Sequence, residues 1–276
     1  MKLSEYVQTH PHGVSICLHG PSGAGKSQSL ATIPVDDTLV LIDSEDGMRT
    51  TAPKLLAAGR RDDNTHLRTA HEPEDVCARL VAIRQALAAG KLEGRVWVVV
   101  DSVSQPLHAL IRQATGAHGL QVYGRVSQTH TAIAAELGAL AAAGAVAVGV
   151  YYSGSVEYAD GSRMGPQIPG SKSHTVPHTY DVVLHVEGAG DDDGAFLQTT
   201  YCRQTLTVQA RDRTDRLPVT LPGLDWSRIA SILLDGASPA TDAPQGAASP
   251  PTDDTPSTTA PAADDSTPAA PADYDW

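Results

Sequence analysis

Aromatic residues are scarce, at 4% of 276 residues, with one Phe and three Trp. A core must therefore be assembled from Ala, Val, Leu and Ile, and the 41% hydrophobic content permits it. Cysteine is equally scarce. Cys17, Cys77 and Cys202 show no Cys-x-x-Cys spacing and cannot all pair. Neither a disulfide framework nor a zinc site is expected, and a reducing cytoplasm is the default compartment. No apolar run approaches the ~20 residues of a membrane span. Residues 1–13 lack the apolar stretch of a signal peptide, so no membrane is expected among the partners. Positive charge is short as well. Twenty Lys and Arg face 32 Asp and Glu, for a net −12, which argues against coating nucleic acid by bulk charge.

The deficit is uneven. No Lys, Arg or His follows Arg228, and seven Asp within 237–276 account for −7, leaving −5 on the first 236 residues. Those last forty residues also hold eight Pro and little apolar bulk before Asp273-Tyr274-Asp275-Trp276. Such a segment cannot bury enough surface to offset its ordering entropy. The reading is a folded core over 1–236 and a disordered Pro/Ala/Asp-rich acidic tail over 237–276. The tail either keeps the protein soluble and repels non-specific DNA, or docks its tip in a partner.

Within the core, strand-like and helix-like segments alternate. Val14–His19, Thr38–Asp43, Val96–Val100 and Ala145–Val150 read as strands, the last two apolar enough to be buried on both faces. Lys26–Thr32 begins a helix that Pro34 ends. Pro73–Ala89 carries Val76, Leu80, Ile83 and Leu87 on one helical face, and Tyr123–Ala143 reads as a long helix. Val182–Val186, Ala195–Thr200 and Gln204–Ala210 read as hairpin-joined strands, with a turn over Gly188–Gly194 and a closing helix over Trp226–Leu234. The alternation predicts an α/β fold with a mostly parallel central sheet and a C-terminal β-hairpin region.

Gly20-Pro21-Ser22-Gly23-Ala24-Gly25-Lys26-Ser27 fits GxxxxGK[ST] at every position, between a strand and a helix. The glycines let backbone N–H groups wrap phosphate oxygens, and the helix start adds partial positive charge. Lys26 reaches the β- and γ-phosphates, Ser27 can ligate Mg²⁺, and Gln28 follows at the phosphate end. The cofactors are therefore ATP and Mg²⁺. Val96–Val100 ends in Asp101-Ser102, the form of a Walker B strand, which places Asp101 at the sheet edge to hold a Mg²⁺-bound water. Leu39–Ile42 ends in Asp43-Ser44-Glu45-Asp46. Asp43 and Glu45 share one orientation if that strand continues, and a carboxylate there could activate water. The plain alternative is a solvated acidic turn.

Together, Gly20–Ser27, Ile42-Asp43-Ser44-Glu45 and Val100-Asp101-Ser102 resemble the RecA-like recombinases over roughly residues 14–235. The nearest likeness is to the short phage RecA-like ATPases of the Sak-four group, associated with single-strand annealing. With a P-loop beginning at residue 20, no N-terminal domain is expected, as in that group. The resemblance implies a RecA-like P-loop NTPase core, a catalytic Glu45, and host bacterial cytoplasm for a phage-encoded protein. It also implies a late basic motif, read here in Arg211-Asp212-Arg213-Thr214-Asp215-Arg216-Leu217-Pro218. Arg211 or Arg213 would then act as a finger on a neighbouring subunit's ATP, in a ring or filament of identical chains. The plain alternative is a run paired with Asp212 and Asp215. The chain departs from the family at Tyr151-Tyr152-Ser153, where Gln or His is usual, and it has no Phe-x-x-Ala segment.

Two loops are candidates for single-stranded DNA. The Gly- and Pro-rich stretch 153–178 offers Tyr158, Arg163 and Lys172, and the loop Thr115–Tyr123 with its flanks offers Arg112, Tyr123 and Arg125. The alternative for both is a lid or connector. His174 and His178 bracket Pro177, which argues against a metal pair on a regular helix. The tail's acidic, aromatic tip is similar to that of bacterial single-strand-binding proteins, which implies such a protein or a replication protein as a partner. The expectation is a DNA-stimulated ATPase acting in recombination or annealing. The alternatives are a P-loop kinase and a non-catalytic nucleotide-binding accessory protein that does not act on DNA.

Overall fold

The computed structural model describes residues 13–114, 119–170, 172–190 and 196–236. The chain divides into two units, Met1–Pro239 and Ala240–Trp276. The second unit, and with it the tail expected over 237–276, lies outside the described residues.

The first unit is an α/β structure around one mixed, mostly parallel sheet. Six strands run parallel in the order β3 (Thr65–Thr69), β2 (Thr38–Asp43), β4 (Val96–Asp101), β5 (Val146–Tyr158), β1 (Val14–His19) and β7 (Val182–Gly190). β8 (Phe196–Tyr201) and β10 (Thr220–Pro222) extend the sheet antiparallel beyond β7. Side-chain alternation sorts each central strand between two apolar layers. Ile16, Leu18, Leu39, Leu41, Trp97, Val99, Val148 and Leu184 face one layer, with α5 (Trp226–Leu233) and Leu55 of α1 (Met48–Ala57). Cys17, Val40, Ile42, Val98, Val100 and Ala147 face the other, with α2 (Pro73–Ala88), α3 (Ser104–Gln113) and α4 (Gly119–Ala142). Each buried Val, Leu or Ile contributes about 1.5–3 kcal/mol, so the sheet is held mainly by this double burial.

β5 lies between β1 and β4. With strands about 4.8 Å apart, the ends of β1 and β4 stand roughly 10 Å apart. That leaves a gap at the carboxyl edge of the sheet.

Four local expectations are corrected. The helix expected from Lys26 is one short 3-10 segment, Gln28–Thr32, because Pro34 stops it before α-helical bonds accumulate. The stretch 153–178 is no irregular loop. β5 runs on to Tyr158 and pairs antiparallel with β6 (Gly161–Gln167), and a 3-10 turn spans Ser173–Thr179. Gln204–Ala210 forms no strand. Only Val208 bridges, to Met164, and a strand begins only after this stretch, as β9 (Arg211–Asp212), which pairs with β7 beside Val182 and Val183. The long helix starts at Gly119, so Tyr123 stands on α4 rather than in a loop. Of the expected DNA loop Thr115–Tyr123, residues 115–118 lie outside the described residues.

A tryptophan pair ties the closing helix to β4 and to the 3-10 segment after the glycine-rich loop. Trp97 of β4 and Trp226 of α5 meet edge to face, with centroids 5.8 Å apart, a contact of about 1 kcal/mol beyond area burial. The Trp226 indole N–H donates to Ser29 Oγ at 2.9 Å, and its backbone N–H donates to Thr32 Oγ1 at 2.8 Å. Trp97 donates to Asp37 at 2.8 Å.

The opposite layer contains a polar chain. His130 Nε2 bonds the Tyr151 hydroxyl at 2.9 Å, which bonds the Tyr180 hydroxyl at 2.6 Å, all three buried. Gly149 admits it, since a Cβ there would lie 2.7 Å from Tyr180 Oη. Burial pushes the His130 imidazole down to about 4 from 6.5. The unfolded chain therefore takes the proton first. This contribution is complete above pH 6.5 and is lost as pH falls toward 4, costing about 2 kcal/mol at pH 5. Thermal unfolding from pH 8 to pH 5 is expected to fall more steeply in the native protein than in the non-titrating His130→Gln.

Candidate functional site

Chain reversal after β1 requires the glycines. A Cβ on Gly20 would lie 2.2 Å from the Val186 carbonyl oxygen, and Gly23 and Gly25 hold φ of 80° and 83°. Ala24 is buried in the core, and the Gln198 side chain of β8 braces the loop from outside. Its amide donates to the Ala24 carbonyl at 2.6 Å while its oxygen accepts from Leu224 N–H at 2.7 Å. Lys26 folds onto its own loop, donating from Nζ to Gly20 O at 2.7 Å and Pro21 O at 2.8 Å. Burial holds this ammonium below the usual lysine range, opposed by the charges of Asp101 and Glu45.

Asp101 ends β4, register partner of Asp43 at the end of β2. The two carboxylates differ in role. Asp43 accepts backbone N–H from Glu45 at 3.0 Å, Gly47 at 3.2 Å and Met48 at 3.0 Å, so it caps the start of α1 and ends the strand. The shared orientation expected of Asp43 and Glu45 therefore does not arise, because the strand stops between them. Asp101 is buried and is pushed up to about 6, first by burial and then by Glu45 and Asp43. Ser27 and Lys26 oppose the shift. The Asp101–Ser102 peptide is cis.

Ser44 and Ser102 lock the two strand ends together. Ser44 Oγ donates to Ser102 O at 2.7 Å and accepts from Ser102 N–H at 2.9 Å. The Ser102 hydroxyl in turn donates to the Glu45 carboxylate. Tyr152, after the buried part of β5, donates to Gln105 at 2.9 Å. Its hydroxyl is pushed up to about 12 by burial and by the Glu45 charge.

These groups share one cleft of about 640 Å³. Gly20, Ser22, Gly23, Gly25, Lys26, Ser27 and Gln28 line one side, Glu45, Asp101 and Ser102 the other, and Tyr152, Ser153 and Gln167 the end. Pro21 borders the adjoining recess instead. Sequence reasoning quoted Ser102 in its motif without a role, and missed Gln105, Gln167 and Gln198. Gln105 stands in the first turn of the helix after Ser102 and could have been found, whereas Gln167 and Gln198 reach their places through strand pairing.

The donor set fits Mg²⁺. Ser27 and Asp101 are hard oxygen ligands, and Asp101 sits among acids that a cation would relieve. Among the described residues no group of three or more His, Cys, Asp or Glu could hold a metal by itself. A cation held by one or two side chains plus phosphate oxygens is consistent with that.

The finger candidates lie elsewhere. Arg211 pairs with Val183, level with Cys17 in the middle of β1 rather than with the phosphate loop. Arg213 donates to the His178 carbonyl at 2.7 Å. Their neighbouring acids are occupied. Asp212 accepts from Thr214, Arg216 and Leu217 N–H, and Asp215 pairs with Arg203 at 2.6 Å.

The DNA candidates divide. Arg163 is buried, paired with Asp160 at 2.8 Å and stacked 5.5 Å from the Tyr158 ring centre, so neither residue is presented to a strand. Hairpin pairing turned both inward. Arg125 is exposed but bonded to Glu74 at 2.6 Å. Arg112 is exposed on α3 beside a recess of about 320 Å³ shared with Ser44, His71 and Gln105. Tyr123 is exposed and lies against Gly170, and Lys172 is exposed as well.

No family model matches this chain, and neither does any curated protein. Among the described residues no helix is long and apolar enough to cross a membrane.

The Gly20 contact predicts the outcome of one methyl group. Gly20→Ala must displace backbone of β7, so it is expected to cost about 1–3 kcal/mol or more in urea unfolding. The open position Gly124, with nothing within 4 Å of its Cβ site and no positive φ, serves as the comparison.

Proposed function

We propose that this chain is a RecA-like ATPase of the phage recombination and annealing type, which binds single-stranded DNA and hydrolyses ATP with Mg²⁺. The observation that carries the reading is the convergence of Lys26, Ser27, Glu45 and Asp101 on one cleft at the carboxyl edge of a parallel sheet. Backbone N–H groups of Ser22–Ser27 and the Lys26 ammonium hold the phosphates. Ser27 and Asp101 hold Mg²⁺, which when bound neutralises charge developing on the phosphate oxygens. Lys26 leaves Gly20 O and Pro21 O for the phosphates. Glu45, released from the Ser102 hydroxyl, accepts a proton from the attacking water.

Arg211 and Arg213 lie away from their own chain's phosphate loop, which favours action on a neighbour's nucleotide over action in cis. Exposed Tyr123 and Lys172, with Arg112, supply stacking and charge for DNA. The second reading is a P-loop kinase or a nucleotide-binding accessory protein that does not act on DNA. It is favoured by the withdrawal of Arg163 and Tyr158 into the hairpin.

Lys26→Ala is expected to abolish hydrolysis. Glu45→Gln is expected to bind ATP normally and turn it over at least ~100-fold more slowly, the scale of a general base. A near-native rate in Glu45→Gln would return that residue to a solvated turn. ATPase assays with and without single-stranded DNA are expected to show stimulation that weakens as salt rises. Equal rates at every salt concentration would favour the second reading.

A further inference from the structure

Beside the phosphate loop, and outside the catalytic set, two buried histidines face one another. His19 ends β1 and pairs in register with His185 of β7. Their exposures are 0% and 1%. His19 Nε2 lies 2.7 Å from the Gln209 carbonyl oxygen, which only accepts, so this nitrogen carries the hydrogen. His19 Nδ1 is then a bare acceptor in the neutral ring. It faces Ser153 Oγ at 3.1 Å and His185 Nδ1 at 3.1 Å. The other nitrogen of His185, Nε2, faces the Glu187 carboxylate at 3.1 Å.

Neither neutral tautomer of His185 satisfies both neighbours. With hydrogen on Nδ1, bare Nε2 confronts a carboxylate oxygen. With hydrogen on Nε2, bare Nδ1 confronts bare His19 Nδ1. One added proton turns both contacts into donated hydrogen bonds. Against it stand burial and the charge of Lys26, which together hold the His185 imidazolium below its ordinary range, with Glu187 opposing. The remaining group facing it is the ring of Tyr201 on β8, 5.9 Å away. Pro21, His185 and Glu187 share a recess of about 390 Å³, through which a proton can arrive.

One end of this hydrogen-bonded row touches the cleft. His19 directly precedes Gly20, and Ser153 lines the cleft while bonding His19. We propose that filling the phosphate loop with a polyphosphate is coupled to uptake of one proton from solvent onto the bare ring nitrogen of His185. The anion cancels the Lys26 charge that opposes that proton. By reciprocity, protonated His185 favours the bound anion. The inference rests on the nucleotide reading and adds its regulation by pH.

Calorimetric titration of the full chain with AMP-PNP and Mg²⁺ at pH 7, in PIPES and in Tris, tests it. Apparent enthalpies are expected to differ between the buffers, because the buffer supplies the proton. His185→Gln is expected to bind with equal enthalpies in both. Glu187→Gln alters an exposed side chain and spares the core; it is expected to reduce the difference, because an amide can donate to His185 Nε2. Native affinity divided by that of His185→Gln is expected to rise about threefold or more from pH 8 to pH 6, a ratio that cancels the titration of Asp101 common to both proteins. Binding with buffer-independent heat in the native protein overturns the proton coupling alone, as does a buffer difference that survives in His185→Gln. Absence of any AMP-PNP binding overturns the nucleotide reading, and the coupling with it.

Discussion

At the carboxyl edge of the sheet, charge is gathered where much of the surrounding water is displaced. Asp101 is buried with Asp43 and Glu45 as acidic neighbours, and Lys26, partly desolvated, turns back on two carbonyls of its own loop. Taken singly, each arrangement is unfavourable. A buried carboxylate is driven toward its protonated form, and a buried ammonium toward its neutral one. Both are tolerated because the surrounding sheet holds them rigidly through burial on two faces. The same low-dielectric setting strengthens any charge that enters with the right sign. A polyphosphate with a divalent cation would meet both needs, giving Lys26 an anionic partner and Asp101 a cationic one.

Placement of β5 between β1 and β4 gives the cleft its width and its third wall. The strand does not stop at the sheet edge. It continues through Tyr152 and Ser153 into the hairpin with β6, which returns Gln167 to the cleft. Ser104 Oγ stitches the two, accepting from Tyr152 N–H at 3.0 Å and donating to Gln167 O at 2.8 Å. Beyond Gln167, Gly170 lies against Tyr123 of α4. A shift of Tyr152 or Gln167 would therefore be felt along one continuous, paired piece of backbone. An irregular loop at 153–178 would not transmit it in this way.

The parts legible in the sequence are those set by local pattern. Apolar runs identified β1, β2 and β4, and the 3.6-residue spacing of Val76, Leu80, Ile83 and Leu87 identified α2. The glycine spacing of the phosphate loop identified its turn. The parts that were not legible depend on partners distant in the chain. Ser153-Gly154-Ser155 resembles a linker until Gly165 and Pro166 lie opposite it. Arg163 resembles a free cation until Asp160 and Tyr158 enclose it. Gln204–Ala210 has strand-like composition, but only Val208 finds a partner there. His19 and His185 are 166 residues apart, and no local signal joins them.

Charge bears on how such a protein could hold DNA. The first 236 residues carry −5 in total, and two of the arginines, Arg125 and Arg163, are occupied by Glu74 and Asp160. Arg112 and Lys172, with stacking on Tyr123, leave each chain few contacts to phosphate. Each neutralised phosphate of a single strand contributes a salt slope of only about −0.7, so one chain alone would bind weakly at moderate salt. On the proposed reading, useful affinity must come from several copies on one strand, whose contacts act together. The position of Arg211 and Arg213, away from their own phosphate loop, leads independently to the same requirement. Assembly would then serve DNA affinity and hydrolysis alike, and a lone chain would be poor at both.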